Sequence, residues 1–434
     1  MHIKLEAQNK MNRTQAPAYK EIENIRFIEP QLKTLDNGLD LVIFKTGSQE
    51  IVKIELIFEA GIIKQTKNLV ASTTNSMLQE GSAHFSAEEI AEQVDFYGSH
   101  LSLVIDKDFA KITFFSLEKH IENGLKLLID IIQNPTFPQD KLDHYLSKRL
   151  QTFKLDMEKV KDLASRKFTQ ELFGVNHAYG MVTELSNFSE ITRNDLIEFF
   201  EHFYQPKNCK LIIAGHFSEK ILGKIEQTFS TWKNSGKSIA PSPIFTAPQL
   251  EQYDFFIKKE EAMQSGLRLG KILFNRTHKD YVKMQVVNTL LGGYFGSRLM
   301  KNIREDKGYT YGIGSALISQ KETGYLTIVS EVNASVSKET IIEIKKEIQI
   351  LQTELVNIEE LSKVKSYMLG HLLRAVDGAF SLSETYINAY LYGMNWDYYR
   401  DYIKAIRSIT PEEILDLSQR YLQEDSLIKV IAGK

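Results

Sequence analysis

The sequence predicts an α+β protein built from two homologous halves. Segments that alternate apolar and polar residues, which is typical of strands, are interspersed with amphipathic segments typical of helices. One helix-then-strand order occurs twice: residues 191–203 (ITRNDLIEFFEHF) parallel 409–421, and residues 211–215 (LIIAG) parallel 429–433. Both pairs are offset by 218 residues (409 − 191 and 433 − 215). A constant offset with one order of elements predicts two copies of one unit, each an antiparallel-rich sheet with helices on one side.

A stretch with the composition of a linker lies between the two copies. The stretch WKNSGKSIAPSPIFTAPQ is rich in Ser, Pro, Gly and Lys, as linkers are. We therefore predict a first domain over residues 1–232, a linker over 233–249 and a second domain over 250–434.

The first half reads in order as a series of short elements. Residues 1–29 have the composition of a polar arm, and Asp36–Gly38 predicts a hairpin turn. Ser86 with Glu89 forms a capping-box pattern, and Thr192 predicts the start of a later helix. The other predicted elements are a strand over 51–61, helices over 68–81, 120–135 and 138–173, and strands over 100–117 and 211–215.

Charge and cysteine content exclude several classes of protein. Of the 434 residues, 43% are apolar and 25% are charged, and the net charge is −3, so nothing predicts binding to nucleic acid or to an anionic membrane. The single cysteine, Cys209, excludes an internal disulfide framework, and we expect it to be a structural thiol. The polar start predicts no secretory signal, and no apolar run approaches the roughly 20 residues that span a bilayer. We expect a cytoplasmic protein.

The most informative stretch is residues 290–314, LLGGYFGSRLMKNIREDKGYTYGIG. It predicts a Gly-rich turn, a short helix that ends near Arg304, a break at Gly308, and a strand with Tyr309, Tyr311 and Ile313 on one face. A guanidinium and a phenol hydroxyl at this spacing suit a peptide carbonyl or carboxylate. The spacing alone favours a structural interpretation, with Arg304 in solvent beside Glu305 or Asp306 and a half-buried strand tyrosine.

The same stretch resembles a family signature. The run G-G-x-x-x-S-R-L-x-x-x-I-R-E-x-x-G-x-x-Y is similar to the C-terminal half of pitrilysin/insulinase-type zinc peptidases and mitochondrial processing peptidases. This sequence carries it as Gly292, Gly293, Ser297, Arg298, Leu299, Ile303, Arg304, Glu305, Gly308 and Tyr311. The resemblance implies that Arg304 and Tyr311 contact the substrate backbone. It also implies a clamshell arrangement of the halves around an inner cavity.

An active member of that family carries H-x-x-E-H in its first half, with two histidines on one helical face that bind zinc and a glutamate that activates water. Matching Met77, Leu78, Gly81 and Ser82 to the family pattern places the motif positions at Ser72, Asn75 and Ser76. The third ligand falls near Gln151 or Thr152, with Tyr145 and Ser147 where acidic residues are expected. Neither these residues nor the scattered histidines, His84 and His177 among them, predict a metal site.

Loss of the zinc motif beside a retained Arg304–Tyr311 pair favours one function. The resemblance implies a non-catalytic subunit of a heterodimeric zinc peptidase that cleaves oligopeptides or proteins. It would hold no cofactor and be inactive alone, while a homologous partner would supply zinc. The alternatives are an inert scaffold similar to the core subunits of respiratory complexes, and a homodimer that binds peptides without cutting them.

Overall fold

The computed structural model describes Thr14, Ile22 and residues 24–434, so most of the predicted polar arm over residues 1–29 lies outside the described residues. In the described part of the chain, eleven strands form two sheets. The strands of the first sheet are β1 (Gln31–Thr34), β2 (Asp40–Lys45), β3 (Ile51–Phe58), β4 (His100–Ile105), β5 (Ala110–Leu117) and β6 (Cys209–Gly215). The strands of the second are β7 (Asp254–Lys258), β8 (Gln264–Leu273), β9 (Thr310–Ser319), β10 (Gly324–Asn333) and β11 (Ile428–Gly433).

The two sheets have the same topology. The first runs β1-β2-β6-β3-β5-β4 and the second runs β7-β11-β8-β10-β9, so five strands correspond one to one and β1 is an addition. In each sheet one pair is parallel, β2 with β6 and β7 with β11, and the remaining pairs are antiparallel. The predicted α+β class with two homologous halves is confirmed.

Helices fill the connections in both halves. Those of the first half are α1 (Val70–Met77), α2 (Ala87–Phe96), α3 (Ile121–Gln133), α4 (Gln139–Asp156), α5 (Val160–Phe173), α6 (Asn187–Glu190), α7 (Arg193–Phe203) and α8 (Glu219–Ser230). Those of the second half are α9 (Tyr281–Asn288), α10 (Ser337–Thr353), α11 (Ile358–Ala375), α12 (Ala379–Tyr390), α13 (Trp396–Ser408) and α14 (Pro411–Tyr421). No helix within the described ranges is both long enough and apolar enough to cross a membrane.

Local sequence signals place several of these elements correctly. The β1–β2 hairpin turns at Gly38, whose φ of 86° suits glycine, and Ser86 and Thr192 both form capping boxes. The long helical stretch expected from Pro138 to about Phe173 is confirmed, and it consists of two helices, because α4 ends at Asp156 and α5 begins at Val160. Between α8 and β7 the chain has neither helix nor strand, and the proposed domain bounds stay a prediction.

Helices of each half pack on the sheet of the other half. Side chains of β2 alternate, so Leu41 and Ile43 enter the core of their own half while Val42 and Phe44 face the opposite way. That opposite face packs against α12 and α13 of the second half. In the same manner α5 of the first half packs on β8 and β11. Strands β2 and β6 of the first sheet, and β8 and β11 of the second, therefore have helices of their own half on one face and helices of the other half on the opposite face.

The exchanged helix α5 approaches the second sheet closely because β8 carries glycine there. A Cβ at Gly266 would lie 2.6 Å from the carbonyl oxygen of Val160, the first residue of α5. A Cβ at Gly270 would lie 2.9 Å from Cζ of Phe168. Both positions require glycine, since a side chain at either would clash with α5, and one at Gly270 would also lie 2.0 Å from the carbonyl oxygen of Leu326 in β10.

Candidate functional site

The signature stretch, residues 290–314, leads into β9 through a series of buried and ion-paired residues. It contains two π-helical turns, Thr289–Gly293 and Met300–Asp306, where a short helix is expected. Leu299 and Ile303 are fully buried in the core of the second half. Arg298 makes a bidentate ion pair with Glu360 of α11, at 2.9 and 2.8 Å. Much of the signature is therefore structural: it ties the Gly-rich turn to α11 and delivers the chain to Tyr311.

Tyr311 lies on a β-bulge in β9, the edge strand of the second sheet. Ile313 pairs with Ser330 and Thr310 pairs with Val332, so Tyr311 and Gly312 together face the single residue Glu331. The inserted residue moves Tyr311 to the face opposite the buried Ile313, which makes the prediction of a shared face wrong for this pair. The Tyr311 side chain is 93% exposed.

Hydroxyl groups complete the hydrogen bonding of this bulge. Thr310 Oγ1 accepts a hydrogen bond from the Gly312 N–H at 3.1 Å and donates to the Glu331 carbonyl at 2.6 Å. The Ser330 hydroxyl donates to the Gly312 carbonyl at 3.0 Å. These contacts replace ladder bonds that the extra residue disrupts, and they hold the backbone that aims Tyr311 outward.

Tyr311 and Tyr309 line a pocket of about 980 Å³ between the two halves. One wall is the junction of α4 and α5, residues 158–161, and the other comprises residues 259–264 with the ends of β9 and β10. The volume falls at the upper end of the range for ligand sites, and the open shape suits an extended chain better than a compact molecule. An adjoining pocket of about 380 Å³ contains Tyr311 and Arg268.

Arg304 contacts an aromatic ring of the Gly-rich turn. Its guanidinium lies over the ring of Phe295, 4.9 Å from the ring centroid, and Phe295 is itself exposed. Arg304 is not among the described residues that line the Tyr311 pocket. A joint contact of Arg304 and Tyr311 with one substrate stays a prediction.

The degenerate motif positions lie on α1 and use their polar atoms internally. Ser72 and Ser76 lie one turn apart on a half-buried face. Asn75, at the position of the family's glutamate, is buried, and its Oδ1 accepts a hydrogen bond from the Tyr204 hydroxyl at 3.1 Å. An amide held in this way offers no base for a water molecule.

A cation from α4 occupies the space in front of Ser72. Nη1 of Arg149 lies 2.8 Å from Ser72 Oγ and 3.3 Å from the Tyr145 hydroxyl, which in turn donates to Ser76 Oγ at 3.1 Å. The two hydroxyl positions and a positive charge do not fit a zinc ion, which prefers imidazole, thiolate or carboxylate ligands. The residues present therefore do not fit the family's metal.

Sequence reasoning singled out Tyr145 but missed Arg149. Tyr145, Arg149 and Thr152 follow one another at helical spacing on α4, so they share a face. That spacing is the signal that finds Arg149, since both of its neighbours on this face are candidate motif positions in the sequence.

Other candidate residues have structural partners. Nδ1 of His84 lies 2.8 Å from Asp130, Nδ1 of His177 accepts from the Tyr179 N–H, and Cys209 is buried in β6, where burial raises the pKa of its thiol. Among the residues that the structure describes, no group of three or more His, Cys, Asp or Glu side chains is placed to hold a metal.

A polar link joins the halves near Tyr179. The buried Asp108 accepts hydrogen bonds from the Tyr179 hydroxyl and, at 2.9 Å, from the Lys321 N–H of the second half. Lys107 Nζ donates to the Tyr179 carbonyl at 2.8 Å. Burial lowers the pKa of Lys107 to about 8 and raises the pKa of Asp108. Burial therefore disfavours the charged forms of both Lys107 and Asp108, and the contact between the halves includes groups that titrate.

Comparison with known proteins agrees with this geometry. Residues 41–176 match the model of the insulinase family, peptidase family M16, and residues 190–368 match the M16 inactive domain. The chain is 23% identical to the uncharacterized zinc protease YmxG of Bacillus subtilis, over 92% of this chain and 97% of that protein. It is also 23% identical to the probable inactive metalloprotease YmfF of the same bacterium, over 90% and 95%.

A solved structure shows the same fold at low identity. The crystal structure of a peptidase M16 inactive domain from Pseudomonas fluorescens superposes with a TM-score of 0.86 at 24% identity, covering 94% of this chain and 98% of that one. The two family matches occupy successive parts of the chain: the first lies within the first half, and the second begins near the end of the first half and extends into the second. The chain therefore belongs to the insulinase (M16) peptidase family, and the assignment of Ser72, Asn75 and Ser76 to the positions of the H-x-x-E-H motif stays a prediction.

Proposed function

We propose that this chain is the non-catalytic subunit of a two-chain zinc peptidase. A homologous partner supplies the metal, the base and the activated water. This chain closes the cleft and grips the peptide with Arg304 and Tyr311. The observation that carries the proposal is Tyr311, 93% exposed on a hydrogen-bonded bulge in the wall of the pocket between the halves.

The chemistry of these two side chains suits a peptide backbone. A phenol hydroxyl donates one hydrogen bond to a carbonyl oxygen, and a guanidinium offers five N–H donors in a planar fork. Donors placed where negative charge develops on a carbonyl stabilise the transition state, and losing one typically costs about 10²–10³-fold in turnover. The Arg304 side chain would leave the Phe295 ring to reach a peptide, a rotamer change that exposed side chains make readily.

The comparisons support a division of labour between two chains. Bacillus subtilis contains one relative named as a zinc protease and another named as probably inactive, and both match this chain over nearly its whole length. A genome that holds both kinds of chain has the components that a heterodimer needs.

Reconstitution tests the proposal. The purified chain is mixed with the H-x-x-E-H homologue from the same genome, and cleavage of a quenched fluorescent peptide is followed. We expect no cleavage by this chain alone, cleavage by the pair, and a loss of about 10²-fold or more in kcat/KM with Tyr311→Phe or Arg304→Ala. Tyr253→Phe and Arg374→Ala, which change the same residue types outside this pocket, are the matched controls.

Two results would contradict the proposal in different ways. Cleavage and zinc binding by this chain alone would show that it is catalytic. An active pair that tolerates both substitutions without loss would make the chain an inert scaffold, which needs neither donor.

A further inference from the structure

The half-buried guanidinium of Arg149 lies against Ser72 on α1, the helix where the family's metal motif is expected, and has no acidic partner there. Arg149 makes no ion pair with any described residue, and its partners are neutral side chains. Its hydrogen bonds go from Nη1 to the hydroxyl oxygens of Ser72, Thr73 and Tyr145, and its guanidinium also lies 5.9 Å from the centroid of the Tyr145 ring. Hydroxyl groups orient a guanidinium but do not neutralise it.

The remaining donors of Arg149 are available to a ligand. Nε and Nη2 make no hydrogen bond within the described chain, and neither is among its enclosed polar atoms without a partner. The two groups form the planar edge that binds both oxygens of a carboxylate at once. The hydrogen bonds of Arg149 are thus made by one nitrogen, and its bidentate edge has no hydrogen-bond partner within the described chain.

The position of Arg149 relates it to the Tyr311 pocket. It lies on α4, whose end at Asp156 is followed directly by the residues that form one wall of that pocket. Arg149 lies seven positions before Asp156, which is about 10 Å along the axis of α4 at a rise of 1.5 Å per residue. An extended peptide covers this distance with roughly three residues.

We propose that Arg149 is a carboxylate-binding group of the cleft, in the place where the family holds its metal. It would take the C-terminal carboxylate or an acidic side chain of a peptide that contacts Tyr311. The inference rests on the proposed peptide-gripping function and adds the class of peptide to it. Because the described contacts of this face bring one positive charge and no carboxylate together, the face attracts anions.

Binding of labelled synthetic peptides to the full chain tests this. Three peptides of one sequence are compared by fluorescence anisotropy: a neutral C-terminal amide, the same peptide with a free C-terminal carboxylate, and the amide with one internal glutamate. We expect at least one carboxylate-bearing peptide to bind roughly tenfold more tightly than the neutral amide, as a charge-assisted bidentate contact does. The two carboxylate peptides distinguish the two sources of the ligand.

Variants of one helix assign the effect. Arg149→Gln is expected to remove the preference while leaving affinity for the neutral amide unchanged, and Lys148→Gln, on an adjacent exposed cation, to keep it. Arg149→Lys retains the charge without the fork and should keep only part of the preference; it decides the matter if the glutamine variant does not fold. Tyr311→Phe should weaken all three peptides by a similar factor.

The outcomes separate the inference from the proposed function. Peptides that bind equally well with and without a carboxylate, or a preference that survives Arg149→Gln, overturn the role of Arg149 and leave peptide binding intact. If the unmodified chain binds none of the three peptides, the proposed gripping function fails and the carboxylate site fails with it.

Discussion

Replacing Phe168 with alanine tests whether the exchanged helices make the two halves one folding unit. Phe168 belongs to the first half by sequence, yet its ring is 4% exposed and packs with α5 on the second sheet. Removal of a buried phenylalanine costs about 3–5 kcal/mol. The upper end is expected here, because Gly270 already brings the sheet backbone against the ring, leaving nothing that can move into the cavity.

The reporter is Trp232, which is 3% exposed in the first half's own core. Urea unfolding is followed by its fluorescence in a Trp396→Phe background and, in parallel, by far-UV circular dichroism. If the halves are interlocked, Phe168→Ala lowers the midpoint of both signals together. Phe96→Ala, at a side chain 79% exposed, is the control and should change stability by less than about 0.5 kcal/mol.

Independent halves would give a different result. In that case the Trp232 transition would keep its midpoint while the circular dichroism signal split into two steps. Such a result would refute the claim that α5 couples the halves, however well the helix packs in the structure.

Three further predictions concern metal, pH and the bulge. Restoring H-x-x-E-H at the three degenerate positions together with Thr152→Glu should give no stoichiometric zinc binding by calorimetry until Arg149→Ala is added, since the guanidinium occupies the space that the first imidazole needs. Because burial lowers the pKa of Lys107 to about 8 from 10.5, the unfolded chain holds this proton over a window in which the folded chain has lost it. Stability should therefore rise with pH between 8 and 9.5, by about 1.5 kcal/mol, and Lys107→Met should remove this rise in urea titrations at the two pH values. Thr310→Val removes the hydroxyl of the bulge and should cost about 1–2 kcal/mol in unfolding experiments, with weaker peptide binding because Tyr311 is no longer held; unchanged peptide affinity would show that the bulge does not aim the tyrosine.

Sequence pattern predicted the repeat because the two copies keep similar elements at a constant offset, and matching strand orders follow from that. Capping boxes at Ser86 and Thr192 were equally visible, since their hydrogen bonds are local. The exchange of α5 and α12 was not visible, because the apolar face of a helix reads the same whichever sheet covers it.

The site was predicted less completely than the fold for a similar reason. The bulge at Tyr311 depends on one extra residue in a strand pair, and alternation of apolar and polar residues does not reveal which residue is extra. The stacking of Arg304 on Phe295 depends on how the Gly-rich turn folds back. Arg149 lay on a predicted helix, but its role follows only from its contact with Ser72 on another helix.

Because the helices are exchanged, one face of the first sheet stays uncovered while the second half is being synthesised. When residues up to the end of α8 have been synthesised, all six strands of the first sheet exist, but the face that carries Val42, Phe44 and Ile212 still lacks its cover. That cover, α12, begins at Ala379 and emerges after about 150 more residues, which is roughly 10–30 s of translation. Throughout that interval a nascent chain displays a wide apolar surface, so its yield in the cell should depend on chaperones that bind during synthesis.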